Sequence, residues 1–414
     1  MNYVKHTQHI YVGSTLLASP LGAMFGLLAF IFCKELHATP TQLALLVSVR
    51  PIVALISFYG NLIIKGQPHR LRQFIIIANI VGFLPCLLFP FVNNIWYFIA
   101  ANGIFSMSSR AIIPAWTEIF KINLDESERG PVFSKGISTC YLIDIFVPLT
   151  FSHFIDSFPH SWRWIFLLLA CLQSLDIALL LNLQIKSLNK SVDHLLSYSF
   201  KSLTSILLGP WRNCWTLMHT RPDFRNYQIV FMLGGAGLMF MQPVIPIFCE
   251  EALQLTYTEL ALAFSFCKGV SFILTSPWWA FWLHRVSTHL FNFFVTLFAA
   301  LFGVMIIGAT THIFWIYAAY TIYGIMQAGS SLSWHLSGPI FSKEKDSTLF
   351  SGVNVAMVGL RGCLFPFLGE IVFLYTNTST VFLGSSLLCL TGALYSLWAY
   401  RESILQESKL YSHT

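Results

Sequence analysis

The chain has 414 residues, of which 56% are hydrophobic and only 10% are charged, and its formal net charge is +6. Soluble domains carry about 25% charged residues, so this chain has too few charges to cover a surface that faces water. The composition excludes a soluble enzyme or binding domain and indicates an integral membrane protein. The nine cysteines form no C-x-x-C pair and the thirteen histidines show no ligand spacing, so we expect no disulfide framework, no metal site and no cofactor.

The first half of the chain contains six apolar runs. A helix that crosses a bilayer needs about 20 mostly apolar residues, and each run meets that length. The first run is interpreted as a retained helix, because residues 1–20 lack the pattern of a cleaved signal peptide. The predicted spans 1 to 6 cover residues 11–33, 41–63, 73–92, 94–118, 133–153 and 162–184.

The second half of the chain repeats this pattern. Spans 7 to 12 are predicted at residues 227–249, 259–283, 289–310, 313–335, 350–374 and 379–400. The longest polar segment lies between the halves and predicts a linker at the cytoplasmic surface of the membrane. The expected organisation is an N-terminal six-helix half at 1–184, a linker at 185–226 and a C-terminal six-helix half at 227–414.

Lysine and arginine are distributed unevenly between the loops of the two faces. With the N terminus inside, 18 of the 24 Lys and Arg residues fall on the cytoplasmic side, and only Lys34 and Arg163 fall on the other. Because cytoplasmic loops carry an excess of these residues, we expect both termini in the cytoplasm and a multi-pass protein of the plasma (cytoplasmic or inner) membrane. This distribution also explains the net positive charge without a nucleic-acid partner.

The two halves share an internal repeat. Span 2 opens with TQLALLVSV at 41–49 and span 8 with TELALAFSF at 258–266, an offset of 217 residues with five of nine positions identical. The same offset aligns Phe133-Ser134 before span 5 with Phe350-Ser351 before span 11. Two six-span halves in one orientation are typical of parallel repeats about an axis along the membrane normal.

Four short motifs between these spans carry a resemblance to a known family. They are AIIPAW at 111–116, ERG at 128–130, WRWIF at 162–166 and RPDFRNYQ at 221–228. In this order they resemble transporters of the major facilitator superfamily, and the likeness covers essentially the whole chain. The resemblance implies an all-α integral membrane fold of 12 transmembrane helices, built as two six-helix parallel repeats. We expect a monomer.

The resemblance also implies gating contacts in two loops. The family's loop after span 2 usually reads G-x-x-x-D-R-x-G-R-R; here Gly60 is kept and Lys65 replaces the arginine. After span 8 the corresponding run, AFWLHR at 280–285, keeps Arg285. Proton-coupled members often carry an arginine in span 4 where this chain has Asn102. The resemblance therefore leaves open whether the coupling ion is H+ or another ion.

Charged residues lie near the middle of four spans: Arg50, Asp144, Lys268 and Arg361. A charge at the bilayer centre costs about 2.5–3.5 kcal/mol on insertion scales, so each one calls for a partner or a function. The family's arrangement places span 5 beside span 8 and span 2 beside span 11. The resemblance therefore implies an intramembrane pair of Asp144 with Lys268, and it leaves Arg50 facing Arg361.

Two facing arginines in a low-dielectric region favour an anion, because the planar guanidinium suits carboxylate or phosphate. In a second interpretation, Arg361 bonds to backbone carbonyls or to Asn354 and holds helices together; in a third, it takes part in ion coupling. Tyrosines on one face of span 10 are candidates for a cavity lining. The substrate-binding hypothesis therefore comprises Arg50, Arg361, Tyr320, Tyr323 and Gln327.

These features favour a secondary active transporter that moves a small anionic or zwitterionic metabolite by alternating access. The expected partners are this small molecule, the lipid bilayer and a coupling H+ or other ion. No P-loop sequence is present, and no compact His/Asp/Glu group supports an enzyme, so we expect no catalytic residues. The alternatives are an exporter of amphipathic compounds of the same superfamily, a transporter-like membrane sensor and a membrane-embedded transferase.

Overall fold

The computed structural model describes residues 3–64, 70–186, 203–283, 285–342 and 348–412. Within these ranges the chain is helical with short connections, and no strand occurs. Helices cover all twelve predicted spans, which confirms the all-α membrane fold. We keep the span numbers for the observed helices.

Among the described residues, the first six spans contain one sharp bend and one 3-10 segment. Span 1 breaks into two helices that meet at 42°. Span 3 ends in a 3-10 helix that contains two prolines, which cannot donate backbone hydrogen bonds. Spans 1 to 6 are Tyr3–Phe25 with Leu28–Leu36, Pro40–Ile64, Leu71–Phe83 with Leu84–Phe91, Ile95–Asn123, Glu126–Ser157, and Trp162–Ser174 with Asp176–Leu181.

The second six spans follow a linker helix, Leu203–Thr220. Spans 7 and 8 each contain a π-helical segment, at Phe248–Ala252 and Leu262–Cys267. Spans 7 to 12 are Pro222–Met241 with Val244–Ile247 and Phe248–Ala252, Tyr257–Ala261 with Leu262–Cys267 and Lys268–Leu283, Thr288–Gly308, Phe314–Ser342, Thr348–Tyr375, and Thr378–Ser412.

Several helices are longer than the apolar runs that predicted them. Span 5 begins at Glu126 and span 12 continues to Ser412, beyond the apolar limits at 133 and 400. Hydropathy marks the part of a helix that is stable in lipid, whereas backbone hydrogen bonds continue a helix into water. The helices therefore continue beyond the predicted membrane spans at these ends.

Length and composition identify eight of the described helices as membrane-crossing, or nine when the bent pair of span 1 is counted. Spans 2, 4 and 10 fall outside this count, although their helices have 25, 29 and 29 residues. In span 4 the buried positions include Asn102, Ser106 and Ser108, which lower its hydropathy. A span that places polar groups in the protein interior need not be strongly apolar along its whole length.

Contacts divide the chain into two compact units. Each unit combines most of one sequence half with a short helix start from the other. The start of span 2 belongs to unit 2, and the start of span 8 belongs to unit 1. Unit 1 comprises Met1–Ala38, Ile52–Phe200 and Thr256–Ala261, and unit 2 comprises Thr39–Pro51, Lys201–Leu255 and Leu262–Thr414. The halves and linker drawn from the sequence stay a prediction.

Unit 1 has an aromatic core. The ring of Phe89 lies 4.8 Å from that of Phe98 and 4.9 Å from that of Phe166. Trp162 lies 5.2 Å from Phe98 in an edge-on arrangement. All four side chains are fully buried. Each such pair contributes about 0.5–1.5 kcal/mol of stability beyond the burial of its apolar surface. The four rings therefore fix spans 3, 4 and 6 against one another.

Unit 2 packs spans 7 and 12 through small residues. The Ser385 hydroxyl donates to the carbonyl of Gly237 at 2.7 Å, and the Cys389 thiol donates to the carbonyl of Gly234 at 3.4 Å. Small residues at a helix crossing let two backbones approach closely in a membrane. This crossing fixes the position of span 7, which carries Phe231, the hydrogen-bond partner of Arg361.

Candidate functional site

Arg361 lies on span 11 and reaches across to span 7. Its side chain is buried, with 9% of the residue exposed. Nη1 donates a hydrogen bond of 2.6 Å to the backbone carbonyl of Phe231, and the guanidinium carbon lies 4.3 Å from the centroid of the Phe231 ring. One residue of span 7 therefore supplies both a carbonyl acceptor and an aromatic face for the cation.

The guanidinium fits there because residue 235, one turn further along span 7, is a glycine. A Cβ atom added to Gly235 would overlap the guanidinium of Arg361. Tyr227, Cys389 and Tyr323 are the electrostatic neighbours of the arginine. Spans 7, 10 and 12 thus each place a side chain within electrostatic range of the guanidinium.

The hydrogen-bonding capacity of Arg361 is only partly used. A guanidinium has five N–H donors. Among the described residues, the Phe231 carbonyl accepts from Nη1, and the buried Nε has no hydrogen-bond partner. The fold thus buries a guanidinium whose remaining donors can still bind an acceptor.

Arg221, at the start of span 7, is an arginine of the same unit that has a carboxylate partner. Its Nε and Nη2 donate to the two carboxylate oxygens of Asp223 at 3.0 and 2.7 Å. Nη2 also donates to the carbonyl of Phe341 at 3.0 Å. Arg221 therefore has the bidentate carboxylate pairing that a structural arginine makes. Among the described residues, the acceptor of Arg361 is the single carbonyl of Phe231.

Asn354, two turns before Arg361 on span 11, belongs to a separate polar network. Its side-chain amide donates to the Ser337 hydroxyl and its oxygen accepts from Gln228. A second buried bond in this unit runs from the Ser333 hydroxyl to the side-chain oxygen of Asn292 at 2.8 Å. All these groups are buried. Of the two structural partners expected for Arg361, the one observed is a backbone carbonyl.

The span 10 residues of the substrate-binding hypothesis have different surroundings. The Tyr320 ring is buried and lies 6.0 Å from Phe264 and 5.5 Å from Phe302. Tyr323 is partly exposed and is the residue of span 10 that interacts electrostatically with Arg361. Gln327, one turn further, is also partly exposed. Of these three, Tyr323 is the residue within electrostatic range of Arg361.

Spans 2 and 11 are in contact within unit 2. The Thr41 hydroxyl donates to the carboxylate of Glu370, and a Cβ on Gly362 would overlap the ring of Pro51. Residue numbers rise along one helix as they fall along the other, so the two are antiparallel here. Arg50, next to Pro51, therefore lies at the level of Gly362, and its side chain is exposed. The side chain of Arg361 instead extends to Phe231 of span 7.

The sequence also matches a model of a known protein family. Residues 11–338 match the model of the Major Facilitator Superfamily. The chain belongs to the Major Facilitator Superfamily. The resemblance carried by the four short motifs is thereby confirmed, and the chain is a multi-pass membrane transporter of this type.

Solved transporter structures share the fold. A POT family transporter in complex with 5-aminolevulinic acid has a TM-score of 0.72 and 16% identity, with 95% of each chain covered. The nucleoside transporter NupG has a TM-score of 0.67 and 16% identity, covering 97% of this chain and 99% of its own. A bacterial homologue of the human lysosomal transporter Spinster has a TM-score of 0.61 and 11% identity, covering 96% and 95%. No curated protein matches the sequence.

The intramembrane charges predicted to pair lie in different units of this superfamily member. Asp144 is partly exposed on span 5 of unit 1, one turn from Cys140, with which it interacts electrostatically. Lys268 is on span 8 of unit 2, with its Nζ 3.8 Å from the centroid of the Phe264 ring. The pairing of Asp144 with Lys268 stays a prediction.

The predicted gating residues are only partly within the described chain. Gly60 lies near the end of the span 2 helix, and Lys65 lies outside the described residues. Arg285 follows the end of span 8, where its guanidinium carbon lies 3.9 Å from the centroid of the Phe281 ring. The aromatic contact gives this exposed arginine a defined position, while its gating role stays a prediction.

Unit 1 contains a polar cluster that sequence reasoning missed. Asp176, on span 6, is fully buried and accepts hydrogen bonds from Ser14 at 2.9 Å and Asn79 at 3.2 Å. Gln173 donates to Asn79 at 3.3 Å. These residues come from spans 1, 3 and 6, and their separation of up to 162 positions leaves no local signal in the sequence.

Unit 1 also has a cavity of about 610 Å³ between spans 1 and 5. Its lining includes Lys135 and hydroxyl and amide groups, with no acidic side chain among the described lining residues. The space is open to its surroundings, so it is a groove lined largely by polar groups and not an enclosed site. The residues that line it are Gln8, His9, Val12, Gly13, Ser134, Lys135, Ser138 and Thr139.

Proposed function

We propose that this Major Facilitator Superfamily member is a secondary active transporter for a small anionic or zwitterionic metabolite. Arg361 binds the negative group of the substrate, with Tyr323 and Arg50 as further binding residues. Two six-helix halves, at 1–184 and 227–414, move about the linker at 185–226 to give alternating access.

The observation that carries this proposal is the incomplete hydrogen bonding of buried Arg361. One N–H donates to Phe231, and Nε has no partner among the described residues. A donor left unpaired in a membrane interior costs free energy, because no water replaces the missing acceptor. A carboxylate or phosphate accepts two parallel N–H bonds from a guanidinium and neutralises its charge.

Tyr320 is assigned a different part in this proposal. Its ring packs against Phe264 and Phe302 in a buried aromatic group, so it supports the wall behind Tyr323. Gln327, one turn from Tyr323 and partly exposed, is the span 10 residue that supplies an amide to a polar substrate. A substrate with both an anionic group and polar substituents suits this set.

Two further lines support an anionic substrate. The cavity of unit 1 is lined by Lys135 and by neutral polar groups, which disfavour cations. A structurally similar POT family transporter was solved in complex with 5-aminolevulinic acid, and a peptide transporter of that family in complex with sulfate. At 16% and 12% identity these similarities are of fold, so they guide the choice of test compounds.

The distribution of Lys and Arg supports both termini in the cytoplasm and a place in the plasma (cytoplasmic or inner) membrane. We propose a monomer, with H+ or another ion as the coupling partner. An exporter of amphipathic compounds is the competing function within the superfamily. Such a transporter would not need a buried guanidinium with unused donors, which favours the metabolite transporter.

Uptake by the purified chain in proteoliposomes tests the proposal. The panel contains matched carboxylates, phosphates, zwitterions, neutral analogues and lipophilic cations. We expect saturable uptake of at least one anion or zwitterion, competed by its relatives and absent with its neutral amide analogue. Uptake restricted to lipophilic cations would contradict the proposal and favour the exporter.

A further inference from the structure

The internal repeat extends into the helix starts of spans 2 and 8. Thr39 and Thr256 are separated by the repeat offset of 217 residues, and each begins a T-x-T-[QE] sequence. The backbone N–H of Thr39 donates to Gln42 at 3.0 Å and that of Thr256 donates to Glu259 at 2.8 Å. The reverse bonds, to the two threonine hydroxyls, are 3.3 and 3.2 Å. Both spans therefore start with the same reciprocal capping box.

In unit 1, the capped start of span 8 is bound by a carboxylate of span 5. The backbone N–H groups of Tyr257 and Thr258 donate to the two oxygens of Asp156 at 2.7 and 2.8 Å. The Thr258 hydroxyl adds a third bond of 2.6 Å. The first N–H groups of a helix have no intrahelical partner and carry partial positive charge, so a carboxylate is a strong ligand for them. We call this contact the Thr258 clasp.

In unit 2, the equivalent threonine of span 2 is bound by a carboxylate of span 11. Thr41 corresponds to Thr258 at the repeat offset, and its hydroxyl donates to buried Glu370. Pro40 stands where span 8 has Tyr257 and has no N–H to donate. The carboxylate of span 11 therefore binds the hydroxyl. We call this contact the Thr41 clasp.

The neighbourhood of Tyr257 strengthens the Thr258 clasp. The Tyr257 hydroxyl donates to Glu35 at 3.3 Å, and Glu35 also accepts from the indole of Trp162 at 2.8 Å. The Lys34 ammonium lies 5.3 Å from the centroid of the Tyr257 ring. The start of span 8 is thus tied to the end of span 1 and the start of span 6, all within unit 1.

Each clasp joins sequence halves that alternating access must separate. One joins span 2 to span 11 and the other joins span 8 to span 5. In each, a threonine of the repeated sequence binds a carboxylate near the C-terminal end of a span. By the predicted topology, these four span ends face the side of the membrane opposite the chain termini.

We propose that the Thr41 and Thr258 clasps are two equivalent positioning contacts that hold this side closed and open together in the transport cycle. The inference rests on the alternating access of the proposed function. Asp156 and Glu370 touch no substrate in this view. The two carboxylates set the population of the form that is closed on this side, and that population sets the apparent affinity for substrate on each side of the membrane.

A merely structural role makes a different prediction. If each contact is a local helix cap, losing one loosens its own helix start and nothing else. If the two contacts open together, weakening either one raises the open population of both. The decisive observable is therefore the response at one clasp to a change made at the other.

Hydrogen–deuterium exchange of the full-length protein in nanodiscs measures this response without a substrate. The variants are Asp156→Asn, Thr258→Val, Glu370→Gln and Thr41→Val. Thr258→Val and Thr41→Val keep the shape of the side chain, so they test the same contacts if a carboxylate variant fails to fold. We expect Asp156→Asn or Thr258→Val to speed exchange about tenfold at residues 257–261. We also expect exchange several-fold faster at 41–45, with the reciprocal effects from Glu370→Gln and Thr41→Val.

Ser287→Ala is the matched control, because the Ser287 hydroxyl caps span 9 through the N–H of Leu290 at 3.2 Å and touches neither clasp. It should change exchange only at the start of span 9. Changes confined to the mutated clasp in all four variants would overturn the proposal. Exchange needs no substrate, so the two proposals are tested separately. The coupling of the clasps can be disproved while anion transport is confirmed, and anion transport can be disproved while the coupling is confirmed.

Discussion

Arg361 and Phe231 join spans 11 and 7 through two contacts at once: Nη1 donates to the Phe231 carbonyl at 2.6 Å, and the guanidinium carbon lies 4.3 Å from the ring centroid. The carbonyl orients one edge of the guanidinium and the ring covers one face. The buried Nε has no partner among the described residues. This arrangement is the basis of the proposed anion site and predicts how variants of Arg361 behave.

Replacing Arg361 with alanine should preserve insertion and abolish substrate binding. The change removes a group that insertion scales penalise by about 2.5–3.5 kcal/mol, so expression should survive. Thermal melts with and without a transported anion should show no ligand shift for Arg361→Ala and a reduced shift for Arg361→Lys, which keeps the charge and loses the planar fork. Arg221→Ala, which removes an arginine that is already paired with Asp223, should lower the melting temperature and keep the shift. An unaltered shift in Arg361→Ala would assign Arg361 to helix packing.

Gly235→Ala should disturb the same site from the opposite helix. The added methyl overlaps the guanidinium of Arg361, and overpacking of this kind typically costs about 1–3 kcal/mol. We expect a lower melting temperature and weaker binding of the transported anion. Gly22→Ala is the control, because its methyl would make an ordinary contact of 3.6 Å with Phe105. Equal effects of the two variants would show that Gly235 has no special relation to the arginine.

The predicted pair of Asp144 and Lys268 can be tested by a double-mutant cycle. If they pair, Asp144→Asn removes the carboxylate that faces the half-buried Lys268 ammonium, at a cost of up to about 3–5 kcal/mol, the value for a fully buried pair. Adding Lys268→Gln should then recover much of the lost stability in denaturant or thermal unfolding. Strictly additive losses would mean that the two side chains do not interact.

Loss of the Asp176 carboxylate should destabilise unit 1 without altering substrate affinity. Asp176→Ala leaves the donors of Ser14 and Asn79 without their buried acceptor, at about 1–3 kcal/mol for each unsatisfied group. Asp125→Ala is the control, since this exposed residue makes no side-chain hydrogen bond as the N-cap of span 5. Equal melting temperatures for the two variants would argue that the cluster of Asp176 adds no stability.

The predicted orientation can be checked by labelling from each side of the membrane. Arg212 on the linker helix and Thr311 between spans 9 and 10 are both exposed. In a background without reactive native cysteines, Arg212→Cys should react with an impermeant maleimide only after cell lysis. Thr311→Cys should react in intact cells. The reverse pattern would invert the topology.

Much of the fold was predictable because its signals are local. Apolar runs of about 20 residues identify spans wherever they occur, and the repeat offset of 217 aligns Thr41 with Thr258 from the sequence alone. The polar span ends were less predictable, because a helix such as Thr378–Ser412 continues beyond its apolar run through backbone hydrogen bonds.

The sequence by itself determined that this is a helical membrane transporter of the Major Facilitator Superfamily and that Arg361 is a costly charge within it. Only the tertiary structure decided that Arg361 binds Phe231, 130 positions away, while Asn354 binds Gln228 and Ser337. Likewise, only the fold decided that Thr41 binds the carboxylate of Glu370 and that Thr258 binds the carboxylate of Asp156. Hydropathy specifies that a side chain is buried, and many helix faces satisfy that condition equally. The partner is selected by close packing of particular side chains, which depends on every helix in the bundle at once.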